Sequence, residues 1–163
     1  MNRALSIAVG GVALWLAAGI GATLSLRTVG SVFTPNLVLV VLGSLGLHVS
    51  RRRGIALGFL GGFLEGALAG ANMLPYLITR TLVGFGAATL GAQTGERGAP
   101  VAAVSAAALS LAANLVFVFL SAPRGIGHVL LAALVGAVVN GVLALPLGAL
   151  FARLGGRRER SVF

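Results

Sequence analysis

Two charged side chains, Glu65 and Arg80, lie well inside otherwise apolar runs. A carboxylate and a guanidinium at such depth can form an ion pair, hold a ligand or relay a proton. Each stands seven to eight residues from the turn centred on Asn72 and Met73, on opposite sides of it. On consecutive antiparallel helices rising about 1.5 Å per residue, both would lie roughly 11 Å below that turn. The plainest use of the two is a buried ion pair that fixes helix register; a proton or substrate relay is the other.

Other chemistry has little to work with. There is no Cys, Asp or Lys, which removes thiol nucleophiles, disulfides and thiolate metal sites. His48 and His128 fall at the ends of apolar runs, with no carboxylates clustered near them at metal-ligand spacing. Asn114 and Asn140 lie within apolar runs and read as groups that hydrogen-bond between helices. The chain is therefore expected not to be an enzyme and to need no cofactor or metal.

One packing pattern stands out. Gly54, Gly58, Gly62, Gly66 and Gly70 recur at every fourth position. On a helix this spacing puts them along one face, a groove without side chains where another helix can approach to backbone contact. The occupant is either another part of the chain or a partner. Gly61 falls on the neighbouring face and is expected to tolerate bulk better than Gly62 or Gly66.

These residues need elements to position them, and composition says in what solvent. Of 163 residues 58% are hydrophobic and only 9% charged, where soluble domains carry about 25% charged residues. A soluble fold of this size leaves roughly a third of its unfolded surface exposed, and here that surface would be oily. Apolar runs at 4–26, 33–49, 54–71, 74–92, 100–121 and 126–151 predict one domain, a compact all-α bundle of six transmembrane helices. Turn material at 27–31, Arg51-Arg52-Arg53, Asn72 with Pro75, 93–100 and Pro123-Arg124-Gly125 separates them. The first run exceeds the 7 to 15 or so apolar residues of a signal peptide, so it is expected to be retained, and Pro146 is expected to kink the last helix.

Six spans put Arg3, Arg51, Arg52, Arg53, Arg97, Arg153, Arg157, Arg158 and Arg160 on one side and only Arg27 and Arg124 on the other. The positive-inside rule makes the nine-arginine side, with both termini, cytoplasmic. The formal charge of +9 thus marks topology rather than nucleic-acid binding, which needs basic residues gathered on one polar face.

The central third of the chain carries a resemblance. Pro35-Asn36-Leu37-Val38-Leu39-Val40, an arginine-rich turn, the Gly-rich run from Gly54 through Glu65 to Leu68, and Arg80-Thr81-Leu82-Val83-Gly84 together resemble MreD, the rod shape-determining membrane protein family. The likeness covers about residues 33–91; Asn36 stands where the family tends to have an acid, and Glu65 where Asp is usual. It implies a non-enzymatic component of the bacterial cell-elongation machinery in the cytoplasmic membrane. Its partner would be MreC, and through it MreB, RodA and the elongation-specific penicillin-binding transpeptidase. The family fold is similar to the substrate-binding subunit of energy-coupling-factor vitamin transporters, which gives a second expectation. A vitamin site needs convergent polar or aromatic groups, and with one Trp and one Tyr the chain is poor in the latter.

Overall fold

The computed structural model describes residues 3–27, 35–70, 72–95, 98–121 and 126–156, with side chains placed within 8–24, 35–70, 72–95, 98–121 and 127–153. Among these residues the protein is all-helical. Its six helices are α1 (Arg3–Arg27), α2 (Leu37–Gly46), α3 (Arg51–Ala69), α4 (Met73–Thr94), α5 (Ala99–Ser121) and α6 (Ile126–Gly156). Three stretches are long and apolar enough to cross a membrane, Met73–Thr94, Ala99–Ser121 and Gly127–Arg153.

α2 departs most from the sequence expectation of a helix over 33–49. Its 10 residues rise only about 15 Å, half of the roughly 30 Å of a hydrocarbon core. It begins at Leu37 because Asn36 caps it: the Asn36 side chain accepts from Leu39 N at 3.0 Å, and Asn36 O accepts the first helical bond from Val40 N at 3.1 Å. From Val38 to Leu47 every residue is buried. A short helix that is apolar all round fits one place, the centre of a bundle.

The other five helices surround it. α3 packs on α1, α4 on α3, α5 on α4 and α6 on α5, and each of the five also packs on α2. Among the described residues the ring is not closed by contact between α6 and α1, which form no extensive contact with each other. Leu14, Leu39, Leu42, Leu45, Leu57 and Val83 fill the space between α2 and the ring on one side, and Val40, Ala106 and Ala144 on the other. The outward faces are apolar too, with Trp15 65% and Phe119 86% exposed. Such a surface is compatible with lipid as the solvent.

α3 begins at Arg51, three residues earlier than the apolar run suggests. The three arginines expected in a turn form the first helical turn instead, started by Gly54 N donating to Ser50 O at 2.9 Å. The remaining helices start and end within a few residues of expectation, and α6 continues through Pro146 to Gly156.

Candidate functional site

The two buried charges meet. Arg80 Nε donates to Glu65 Oε2 and Arg80 Nη2 to Glu65 Oε1, both at 2.7 Å, a two-pronged pair that joins α4 to α3. Arg80 is 3% exposed and Glu65 20%. The third guanidinium nitrogen, Nη1, donates to Thr79 Oγ1 at 2.8 Å, and Thr79 in turn donates to Pro75 O at 2.7 Å. The guanidinium carbon also lies 5.3 Å from the Tyr76 ring centre and 5.8 Å from that of Phe117. At that distance the ring faces attract the cation and offset part of its desolvation.

Asn36 turns this pair into a network. Its Nδ2 donates to Glu65 Oε1 at 2.7 Å while its Oδ1 caps α2, a division of labour that needs both ends of an amide. The Asn36 backbone N–H donates to Asn140 Oδ1 at 2.9 Å, and Asn140 Nδ2 donates to Ser110 Oγ at 3.1 Å. Five helices, α2 to α6, are thus tied at one level by a continuous set of polar contacts. The short α2 makes this necessary: its N-terminus ends inside the bundle, where unpaired polar groups are costly.

The glycine face holds the same two helices together. A Cβ at Gly62 would lie 2.6 Å from Tyr76 O, and one at Gly66 2.9 Å from Met73 Cγ. Cβ atoms at Gly54 and Gly58 would collide with the carbonyl oxygens of Gly84 and Arg80. The groove is therefore internal and filled by α4. One expectation changes: Gly70 is not part of the seam, since it ends α3 in the left-handed region at φ 59°, with nothing within 4 Å of an added Cβ. Gly61 keeps its expected rank: its Cβ would meet side-chain ends, Val38 Cγ1 at 3.0 Å and Leu14 Cδ2 at 3.3 Å, where that of Gly62 meets backbone, although its face is packed and not open.

Beyond the N-terminus of α2 lies a half-open cavity of about 480 Å³. α2 is shorter than every helix around it, so the centre of the ring is left unfilled at that end. The floor is Asn36, Glu65 and Asn140, and the walls come from all the ring helices. Ala17, Ala18 and Gly21 of α1 face Ala132, Ala133 and Gly136 of α6 across it, with Tyr76, Asn114 and Phe117 between. Asn140 bonds across helices as its position suggested. Asn114 has no hydrogen-bond partner among the described residues and lines the cavity instead.

The remaining sequence candidates fall as follows. Pro35 lines the cavity beside Asn36, Thr81 is half-buried on α4, and Gly84 is buried against Gly54. Arg51 and Arg52 are exposed, whereas Arg157 and Arg158 lie outside the described residues. His48 is half-buried with Nδ1 3.1 Å from Ser44 O, and His128 is exposed near the start of α6. No group of three or more His, Cys, Asp or Glu able to hold a metal occurs among the described residues. No family model, curated protein or solved structure matches the chain.

Proposed function

We propose that this protein is a non-enzymatic scaffold of the bacterial cell-elongation complex, of the MreD type, which binds MreC and supports peptidoglycan synthesis along the lateral wall. The observation that carries the reading is a convergence. The three segments on which the resemblance rests, around Pro35-Asn36, Glu65 and Arg80-Thr81 to Gly84, come from three helices and meet in one unit: Asn36 donates to Glu65, Glu65 accepts from Arg80, and Gly84 seats Gly54. Residues that a likeness picks out along the chain would share such a unit if they fix one bundle geometry. Every group in that unit is occupied by another, as suits structure more than turnover.

In this reading the bundle spans the cytoplasmic membrane six times with both termini inside, MreC is the direct partner, and MreB, RodA and the elongation transpeptidase belong to the same assembly. Cysteines placed at Arg52 and Arg157 should resist an impermeant label in intact spheroplasts; labelling of Arg157→Cys alone would leave five spans. The functional test is co-purification in detergent with MreC from the same organism, together with rescue of rod shape in a strain that lacks this protein. Failure of both would end the proposal.

The cavity favours a second reading, a small-molecule binding subunit of an energy-coupling-factor transporter. Its volume of about 480 Å³ lies within the roughly 300–1,000 Å³ typical of ligand pockets. Asn114 and the single tyrosine, Tyr76, supply polar groups on its wall. A vitamin retained through purification would decide for it.

A further inference from the structure

The walls of the cavity are not held together equally. α1 and α6 both line it, and among the described residues they are the one pair of neighbours in the ring without an extensive contact. The residues they give to the cavity walls are small and mostly apolar, with Ala17, Ala18 and Ala133 buried, and Leu16, Ile20, Leu130 and Leu134 are exposed on the outward faces of the same two helices. The slot between α1 and α6 is thus the least tied route from the cavity to an apolar surface. An apolar chain could lie in that slot without losing contact with lipid-like surroundings. A water-soluble molecule would gain nothing from it.

The floor sets the chemistry of the other end. Glu65 is already matched in charge by Arg80 and in hydrogen bonding by Asn36. An anionic head group would be set against the Glu65 carboxylate with no further cation to balance it among the described residues that line the cavity, and a cationic one would have to displace a two-pronged Arg80 pair. Unspent capacity is neutral: among the described residues neither the Asn114 amide nor the Tyr76 hydroxyl has a hydrogen-bond partner, and both residues line the cavity. An amide and a phenol offer donors and acceptors together, the match for a hydroxyl or ester group.

We propose that the cavity is a binding site for an uncharged membrane amphiphile, which enters between α1 and α6, leaves its acyl chain in that slot and places a hydroxyl or ester head against Asn114 and Tyr76. This does not rest on the scaffold reading. It differs from the vitamin reading in both source and chemistry, since the ligand comes from the bilayer and not from water.

Two glycines make the site testable without touching the packing. Gly21 and Gly136 line the cavity, and a Cβ added to either meets nothing within 4 Å. A leucine there would grow into empty space, unlike one at Gly58 or Gly62. The experiment uses the full chain in nanodiscs with a photoreactive monoacylglycerol as probe, with mass-spectrometric mapping of the adduct and a thermal unfolding midpoint for each variant. The parent should be labelled on α1 and α6. Gly136→Leu and Gly21→Leu should each lower labelling at least about tenfold with the midpoint unchanged, as expected when a side chain occupies the ligand's volume. Asn114→Leu should lower it about two- to tenfold, the worth of one neutral hydrogen bond. Unlabelled monoacylglycerol should compete and oleate, its carboxylate counterpart, should not. Undiminished labelling of either well-folded leucine variant would overturn the proposal. So would competition by riboflavin, biotin or thiamine, which would move the site to the vitamin reading. Should one plug lower the midpoint, the other, on a different helix, still decides.

Discussion

The α3–α4 seam and the α1–α6 slot use the same residue to opposite ends. In the seam Gly54, Gly58, Gly62 and Gly66 have no side chain because the backbone of α4 takes that space. In the slot Gly21 and Gly136 have none either, and a Cβ at each would meet no described atom within 4 Å. A glycine in a membrane helix therefore has no fixed meaning: one kind closes a contact and the other keeps a volume open, and only the neighbour tells them apart. The seam also carries its polar lock, Glu65 with Arg80, whereas above the Asn140 floor the described walls from α1 and α6 are alanine, glycine and Val129.

The contrast is sharpest under added bulk. Gly58→Leu would drive a side chain into the Arg80 carbonyl, a backbone atom that cannot swing aside, and should cost more than about 3 kcal/mol and abolish folding. Loss of the folded band in detergent, beside a normal Gly136→Leu, checks it. Comparable tolerance of the two would erase the distinction.

Next in size is the lock. Glu65→Gln or Arg80→Met strands a buried partner, a loss of about 3 to 5 kcal/mol, while the double variant should recover much of it. Recovery should be incomplete, because Asn36 Nδ2 also donates to Glu65. Unfolding free energies of the three variants give the coupling. A stably folded double variant that still fails to restore rod shape would assign the pair a part in the work of the protein and not only in its packing.

A smaller effect belongs to the tie between α2 and α6. Asn140→Leu removes the acceptor for Asn36 N and the donor to Ser110 Oγ, and should cost about 1 to 3 kcal/mol by leaving buried groups unpaired. The smallest change carries the opposite sign. Gly136→Ala adds a methyl where nothing obstructs it and removes a glycine from a helix interior, so it should stabilise by up to about 1 kcal/mol, whereas Gly62→Ala should destabilise. A thermal shift of the same sign in both would contradict the two-role account.

Much of the seam was legible before any coordinates. Period-four glycines and matched depths on either side of one turn need only helix geometry, and Glu65 with Arg80 followed from it. Gly70 was misread because the period continues one step past the helix, where it serves as a left-handed cap. The rank of Gly61 below Gly62 was legible too, but not that its own face is covered: α3 is packed on two sides, by α4 and by α1 with α2, and a face pattern reports only one. The slot and cavity were not legible at all. They arise because α2 stops at Asn36 while its neighbours go on, and hydropathy runs straight through that stop. The role of Asn36 was hidden for the same reason. Its partners are set by where the helix end falls in three dimensions.

The open ring has a consequence for how the chain is made. Each helix from α3 onward rests on α2 and on a helix that precedes it, and among the described residues no extensive contact needs the last helix to find the first. Assembly can therefore follow the order of synthesis, each new hairpin arm docking on a surface already present, with the slow search for distant partners largely avoided. A chain whose first 121 residues have left the ribosome would already hold every contact among α1 to α5, including the Glu65–Arg80 lock. The final helix would then close the far wall of the slot upon a preassembled core.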